Sequence, residues 1–295
     1  MDKLVRKITE QVFANVPTSI EEIKGKGKNN LVFKVTVNNT PIILRVNNRD
    51  NTIDLYQKEK WFAEVVKNAG IPSPKILEIG VFDQYAFSFQ EFIAGIQGND
   101  APTELSKIWF TLGQYAGVIN KIPAPQFEVD YTKVIPEMFA SDYFIIRNIF
   151  SQELSSKIQN RLEETLSWKF SPTLCHGNLH PSNVIIDAAG TIHVIDWETA
   201  TGNQTPQSEL AEIYTWNNGK ENIAHFLEGY GLKEIEMKEM MRDIQTLILL
   251  RLVQVIVRKM PKDNNWEQDT YIKDTAVRLA AISDYQEDIL FTKNL

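Results

Sequence analysis

The amino-acid sequence predicts an α+β fold with two lobes, a small β-rich N-terminal lobe and a larger, mostly helical C-terminal lobe. Within residues 1–91, short runs of alternating apolar residues are separated by turn residues, a pattern typical of strands. From residue 92 onward, apolar residues recur mainly at helical spacing. The chain has 295 residues, of which 43% are hydrophobic and 23% charged, so it can bury a sizeable core. We therefore predict lobes over residues 1–91 and 92–295.

The N-terminal lobe combines strands with one main helix. Alternation of apolar residues predicts strands over 31–37 and 41–46, and Asn38-Asn39 between them favours a turn. Helical spacing predicts a helix over 52–69, which Gly70 and the prolines after it would end. The remaining predicted elements of this lobe are a short helix over 2–15 and strands over 75–81 and 86–92.

Helices dominate the predicted C-terminal lobe. The most apolar run, residues 244–257, is interrupted by Gln245, Arg251 and Gln254. A membrane span needs about 20 predominantly apolar residues, so this run predicts a buried helix over about 242–259. The other predicted elements are helices over 103–121, 134–148 and 152–168 and a strand-loop-strand insert over 172–197.

Charge and cysteine content narrow the classes of function. The net charge is −7, with +2 on residues 1–91 and −9 on the remainder. An acidic C-terminal part argues against nucleic-acid binding and suits a cationic small partner, although a solvated acidic surface gives the same excess. Cys175 is the single cysteine, so no intrachain disulfide forms. The N-terminus does not resemble a signal peptide, and we expect a cytoplasmic protein that binds no membrane.

A hairpin in the insert brings two oxygen ligands together. Strands are predicted over 184–186 and 192–195, with a turn from Asp187 to Gly190. This hairpin places Asn183, before the first strand, close to Asp196, after the second. Amide and carboxylate oxygens are the ligands that Mg²⁺ prefers, so the hairpin predicts a magnesium site.

The residues around this hairpin carry a family resemblance. The order His176-Gly177-x-Leu179-His180-Pro181-x-Asn183, followed by Ile195-Asp196-Trp197, resembles the aminoglycoside phosphotransferase and choline kinase-like superfamily, relatives of protein kinases. Similarity in the expected order covers about residues 24–216. The resemblance implies a bilobal protein-kinase-like fold and phosphoryl transfer from ATP, or alternatively GTP, with Mg²⁺. The segment 194–216 is similar to antibiotic kinases of the hygromycin and aminoglycoside type, which implies an aminoglycoside-like acceptor.

The resemblance also implies roles for individual residues. A glycine-rich loop would cradle phosphates, and a basic residue on the third strand, Arg45, would contact the α- and β-phosphates while Glu59 orients it. The backbone that connects the lobes would hold adenine. The implied nucleotide and metal residues are Gly25, Gly27, Asn30, Arg45, Glu59, Glu91, Ile93, Asn183 and Asp196.

The chain departs from the family at the expected catalytic base. The family places an aspartate two residues after the first histidine of the motif, whereas this chain has Asn178. An amide cannot act as a useful base, and loss of a positioned base typically costs about 10²- to 10⁴-fold in rate. Weak catalysis, substitution by another carboxylate such as Glu198, and an engineered Asp-to-Asn change all fit this departure. A pseudokinase-type binding module for nucleotide or metabolite is the competing class, and a structural partner-binding protein is the third.

The acceptor site is less specified by the sequence. The acceptor would be a small hydroxylated compound, and carboxylates after the metal hairpin could bind its ammonium groups. Each of these carboxylates is equally explained as a solvated surface charge. The candidates are Glu198, Glu209 and Glu212.

Overall fold

A computed structural model of the protein describes residues 1–24, 30–123, 150–165, 173–216, 219–259 and 270–283. The chain divides into two compact units. The first comprises Met1–Pro102 and Pro181–Ala200, and the second comprises Thr103–His180 and Thr201–Leu295. The predicted metal hairpin thus belongs to the same unit as the N-terminal residues. The lobe boundary at residue 91 stays a prediction.

A five-stranded antiparallel sheet with the order β1-β2-β3-β5-β4 forms the framework of the first unit. The central strand β3 pairs Arg45 with Val32 on one side and with Ser88 on the other. Arg45 therefore lies in the middle of the sheet, where its backbone is fixed on both sides. The strands are β1 (Ser19–Glu22), β2 (Leu31–Val37), β3 (Thr40–Asn47), β4 (Ile76–Phe82) and β5 (Tyr85–Glu91).

Two helices accompany this sheet. One packs on its apolar face, and the other lies toward the opposite face, where Arg45 points. One face of the sheet forms an apolar core with α1 (Asp2–Phe13), to which α1 contributes Val5 and Ile8. Successive side chains of a strand point to opposite faces, so Arg45 points away from this core, toward α2 (Thr52–Asn68). The sheet residues of the core are Phe33, Val35, Val37, Ile42, Leu44, Val46, Phe87 and Phe89.

The predicted metal hairpin forms in the first unit, as β8 (Val184–Asp187) and β9 (Ile192–Val194). Strand β6 (Gly95–Gln97) adds to the edge of β8. A Cβ at Gly95 would lie 2.2 Å from the carbonyl oxygen of Ile186, so only glycine allows this close pairing. The Asp187 carboxylate closes the turn because it accepts hydrogen bonds from the backbone N–H groups of Ala189 and Thr191.

The second unit is mainly helical in the part that the structure describes. Strands β7 (Thr173–Cys175) and β10 (Thr201–Gln204) pair antiparallel within it. Helices α3 and α6 pack closely because each places a glycine, Gly113 or Gly229, against the backbone of the other. Its helices are α3 (Leu105–Ile119), α4 (Gln152–Thr165), α5 (Pro206–Thr215), α6 (Lys220–Tyr230), α7 (Glu234–Lys259) and α8 (Thr270–Ser283).

Most predicted elements are confirmed with ends shifted by a few residues. The helix predicted over 242–259 is the C-terminal part of the longer helix α7. Strand β1 was not predicted, because the short segment Ser19–Glu22 has little apolar alternation to reveal it. The helix predicted over 134–148 lies outside the described residues. None of the helices that the structure describes is both long and apolar enough to cross a bilayer.

Candidate active site

Arg45 and Glu59 form a buried ion pair between the sheet and α2. The guanidinium of Arg45 donates hydrogen bonds of 2.5 and 3.2 Å to the two carboxylate oxygens of Glu59. Arg45 is 7% exposed and Glu59 only 2%. Burial is the largest single influence on the pKa of Arg45 and lowers it, but Glu59, Tyr56 and Asp196 together outweigh burial, so the pKa is raised. Glu59 therefore holds the positively charged guanidinium of Arg45 in one orientation.

Two further carboxylates lie beside this pair. One carboxylate oxygen from each of Glu59, Asp196 and Glu198 lies within 4.8 Å of the other two. An oxygen of Glu198 also lies 3.8 Å from Nη2 of Arg45. Lys58 brings a second cation to the cluster, since its ammonium group donates a 2.8 Å hydrogen bond to the backbone carbonyl of Glu198. The structure thus brings together four residues that the sequence singled out, Arg45, Glu59, Asp196 and Glu198.

Two hydrogen bonds within the first unit fix the chain on either side of Asp196. Asp196 adopts a left-handed conformation with φ 64°. On one side of it, the N–H of Ile195 donates a 2.9 Å hydrogen bond to the carbonyl of Asn183. On the other side, the buried indole of Trp197 donates a 3.0 Å hydrogen bond to the hydroxyl of Ser73. These contacts bring the predicted metal residues Asn183 and Asp196 to the same end of the hairpin.

Asn183 and Asp196 offer a donor set that suits a divalent cation. The Asp196 residue is exposed, with two other carboxylates within 4.8 Å, and Asn183 is 8% exposed. Carboxylate and amide oxygens are hard ligands of the kind that Mg²⁺ prefers, and Mg²⁺ usually completes its shell with water and phosphate oxygens. The residues present therefore fit the metal that the sequence predicts.

The predicted phosphate loop is described only at its end. Gly25 and Gly27 lie outside the described residues. The side-chain oxygen of Asn30 accepts hydrogen bonds of 2.9 Å from the hydroxyl of Tyr56 and from the amide of Asn47. These two bonds tie the start of β2 to α2 and to the end of β3, so Asn30 fixes where the loop rejoins the sheet.

The segment predicted to hold adenine follows β5. Glu91 is the last residue of that strand and is exposed, and Ile93 is half-buried in the irregular connection to β6. The N–H of Glu91 donates a 2.8 Å hydrogen bond to the carbonyl of Lys75, and the N–H of Lys75 donates a 3.2 Å bond to the Glu91 carboxylate. These bonds use the N–H of Glu91 and fix the backbone just before Ile93.

The segment that contains Asn178 lies in the second unit. The N–H of His176 donates a 2.6 Å hydrogen bond to one oxygen of Glu209, and the N–H of Gly177 lies 3.2 Å from both oxygens. The N–H of Asn178 donates a 3.2 Å hydrogen bond to Nδ1 of His176. Three successive backbone N–H groups are therefore held by side chains, which sets the position from which the Asn178 amide extends. We call residues 176–178 the catalytic loop, because the sequence predicts a catalytic position at Asn178.

Glu209 is completely buried. The alternative prediction, that it is a solvated surface charge, is therefore wrong. Burial raises its pKa, while the N–H groups of Gly177 and His176 and the charge of Arg251 act in the opposite direction. Glu212, one turn later on α5, is 6% exposed, and its carboxylate accepts a 2.5 Å hydrogen bond from the indole of Trp216. Their roles toward an acceptor stay predictions.

Comparison with known proteins agrees with this arrangement. Residues 19–242 match the model of a family described as the phosphotransferase enzyme family. The chain belongs to that family. No curated protein sequence is significantly similar to it. The matched range includes both the ion pair on β3 and α2 and the catalytic loop.

Solved structures share the fold of this phosphotransferase at low sequence identity. Aminoglycoside phosphotransferase APH(4)-Ia is 17% identical over 98% of each chain, with a TM-score of 0.69. A thermostable mutant of APH(4)-Ia, solved as a ternary complex with ADP and hygromycin B, is 19% identical over 97% of each chain, with a TM-score of 0.67. A putative fructosamine-3-kinase from Haemophilus somnus is 13% identical over 97% of each chain, with a TM-score of 0.64. The fold is therefore the kinase-like α+β fold that the sequence predicts.

The sequence analysis does not single out two residues that contact the candidate active site of this phosphotransferase. Lys58 gave no signal, because a lysine on an amphipathic helix is ordinarily a solvated charge. Arg251 did give a signal, since it interrupts the apolar run 244–257. A charge within a buried helix ordinarily has a partner, and the structure places that partner on α5.

Proposed function

We propose that this enzyme transfers a phosphoryl group from Mg²⁺-ATP to a hydroxyl group of a small, polar, cationic acceptor in the cytoplasm. The observation that carries the proposal is the cluster in which Arg45 is held by Glu59 while Asp196 and Glu198 lie beside the pair. Phosphoryl transfer requires mainly positioning and charge stabilisation. A fixed guanidinium beside the exposed Asp196 and the half-buried Glu198 supplies both.

Arg45 would bind the phosphates of the nucleotide. Its pKa is raised by Glu59, so it stays charged, and a guanidinium can bind phosphate oxygens in a bidentate manner. The bond pattern to Glu59 fixes the plane of the guanidinium, so little side-chain entropy is lost when a phosphate binds. Asn30, Gly25 and Gly27 are proposed to shape the loop that covers the phosphates, and the backbone of Glu91 and Ile93 to hold the base.

Asn183 and Asp196 would hold the metal, with Glu198 beside them. When bound, Mg²⁺ neutralises charge on the phosphate oxygens. The chain supplies the rigidity of this site, because the Ile195–Asn183 and Trp197–Ser73 hydrogen bonds fix the backbone on both sides of Asp196. A carboxylate held in this way needs little rearrangement to bind a cation.

Asn178 would orient the acceptor hydroxyl through its side-chain oxygen, which can accept a hydrogen bond but cannot take the proton at a useful rate. The loose transition state makes early proton transfer less demanding, so slow turnover is expected. The second candidate function is a nucleotide-binding module with little turnover, and Asn178 is the observation that favours it.

The acceptor class rests on the acidic character of the second part of the chain and on the similarity to APH(4)-Ia, one complex of which contains hygromycin B. We propose that Glu198 contacts a cationic acceptor directly, and that the buried Glu209 and Glu212 contribute to its recognition through the elements that they hold. A panel of aminoglycosides and other amino-sugars is therefore the appropriate first acceptor screen.

The first experiment is titration calorimetry of ATP into the protein, with Mg²⁺ and with excess chelator, and of GTP under the same conditions. We expect binding of ATP that Mg²⁺ strengthens, and loss of that strengthening in Asp196→Asn. Asp83→Asn is the matched control, because Asp83 also has a positive φ, at 51°, and lies in a turn distant in sequence from the site. Absence of ATP binding to folded protein in both buffers would refute the proposal.

The second experiment separates the enzyme from the binding module. In an acceptor screen with Mg²⁺-ATP, Asn178→Asp should raise turnover by about 10²- to 10⁴-fold, because it restores a base at the position where the family has one. Nucleotide affinity should stay the same. Unchanged turnover in Asn178→Asp across the acceptor panel, together with intact ATP binding, would favour the module.

A further inference from the structure

A network of three charged residues, two of them buried and one half-buried, lies beneath the catalytic loop, and the proposed reaction makes no direct use of it. It consists of Glu209 and Glu212 on α5 and Arg251 on α7. All three residues and the loop itself belong to the second unit. Charges are seldom buried unless they have a specific partner, so the cost of burying this network calls for an explanation.

Glu209 is the member of the network that touches the loop. Its two oxygens accept hydrogen bonds from the N–H groups of His176 and Gly177, the shorter at 2.6 Å. Hydrogen bonds to an ionised acceptor are short and about twice as strong as neutral ones. The position of the loop backbone, and with it the position of Asn178, therefore depends on Glu209 carrying its charge.

Arg251 provides the compensating positive charge. Its guanidinium forms an ion pair with Glu212 and donates a 3.2 Å hydrogen bond to the backbone carbonyl of Ser208. The carbonyl of Ser208 is adjacent to Glu209 in the chain, and the charge of Arg251 favours the ionised form of Glu209. The side chain of Arg251 thus spans α5 from Ser208 to Glu212 and lies against the turn that presents Glu209.

We propose that Arg251 is a positioning residue of the catalytic loop, which it orients through Glu209. Glu212 holds the guanidinium from the other side, so the network transmits the packing of α7 on α5 to the backbone of residues 176–178. This inference rests on the proposed phosphotransferase function, in which that loop presents Asn178 to the acceptor hydroxyl.

The direct test is amide hydrogen exchange, followed by mass spectrometry of peptides that span residues 174–180. In Arg251→Met, the loop amides should exchange about tenfold faster, because loss of a hydrogen bond to a charged group costs enough to produce that change. Arg251→Lys, which keeps the charge, should restore part of the protection. Arg242→Met is the matched control, since Arg242 lies on the same helix and is 65% exposed.

Kinetics distinguish positioning from general stability. If the chain transfers phosphate, Arg251→Met should lower kcat and leave the KM for ATP unchanged, because the residues proposed to bind ATP belong to the first unit. Should Arg251→Met fail to fold, Glu212→Gln weakens the same network while its amide still fills the site, and the loop should again exchange faster than in wild type.

The inference is overturned if the loop amides keep wild-type exchange in folded Arg251→Met or in Glu212→Gln. Exchange that rises equally in all peptides would also overturn it, because a purely structural role predicts a global effect. Failure of the proposed function has a different signature. In that case wild-type protein would bind no Mg²⁺-ATP, while the loop exchange measurement would still be informative about the network.

Discussion

The guanidinium of Arg45 and the carboxylate of Glu59 are joined by two hydrogen bonds, and neither side chain is exposed by more than 9%. Arg45 would otherwise be a buried charge in the middle of a sheet. Its orientation toward α2 therefore depends on Glu59, and both the stability of the first unit and its affinity for phosphate should respond to a change at that residue.

Glu59→Gln should lower the free energy of unfolding by about 3 kcal/mol, because removal of one partner leaves a buried charge that is only partly compensated. The Glu198 carboxylate, 3.8 Å from Arg45, limits the loss. Urea denaturation measures this change, and calorimetry with Mg²⁺-ATP should show weaker binding. Glu64→Gln on the exposed side of α2 is the control. Equal stability of the two variants would contradict the role of the pair.

Lys58→Met should lower the free energy of unfolding by about 1 kcal/mol, because the variant loses a charge-assisted hydrogen bond to the Glu198 carbonyl. The change also removes a positive charge from beside three neighbouring carboxylates. Lys67→Met makes the same change at an exposed position of the same helix and should have an effect within about 0.5 kcal/mol. Urea titrations of both variants provide the comparison, and a larger loss in Lys67→Met would be inconsistent with the contact.

Local pattern explains what the sequence could and could not predict. The alternation of apolar residues that buries Val35 and Leu44 also identifies their strands. The two short β runs between Asn183 and Asp196 identify the metal hairpin in the same way. In contrast, the sequence does not show whether a given charge is solvated or paired when its partner is distant. The partner of Lys58 lies 140 positions away in the chain, and the partner of Arg251 lies 39 positions away. The charge of Glu209 makes it a candidate in the sequence, but its attachment to backbone N–H groups depends on how α5 packs against β7, which periodicity does not encode.

The turn of the metal hairpin should respond to acid. Asp187 accepts hydrogen bonds from His193 and from backbone N–H groups, of which the bond to His193, at 2.9 Å, is the largest of the causes that lower its pKa to about 2. Since the folded-state pKa lies below the ordinary value of 3.8, Asp187 contributes stability above about pH 4. That contribution is lost as the pH falls from about 4 toward 2.

Asp187→Asn tests this pH dependence. The difference in unfolding free energy between wild type and variant should be constant from neutral pH down to about pH 4 and should shrink below it. Urea titrations at a series of pH values measure the difference. Asp83→Asn removes a carboxylate from the β4–β5 turn and serves as the comparison. A difference for Asp187→Asn that grew on acidification would have the wrong sign for a lowered pKa.

Gly113 on α3 lies against α6 so closely that a side chain has no room. A Cβ at this position would be 1.9 Å from the carbonyl oxygen of Phe226, a backbone atom that cannot move alone. Alanine is favoured over glycine in a helix by about 1 kcal/mol, but overpacking typically costs about 1–3 kcal/mol and here requires the helices to separate. The clash should therefore outweigh the gain in helix propensity.

Gly113→Ala should destabilise the protein by about 1–2 kcal/mol in thermal or urea denaturation. Gly117→Ala is a matched control one turn later on the same helix, where the new Cβ would lie 3.0 Å from the nearest atom, the carbonyl oxygen of Tyr230. A shift of a few tenths of an ångström accommodates it, so propensity and crowding should nearly cancel. Gly229→Ala, whose Cβ would meet the carbonyl of Phe110 at 1.9 Å, should resemble Gly113→Ala. If Gly113→Ala were as stable as Gly117→Ala, the two helices would not be packed this closely.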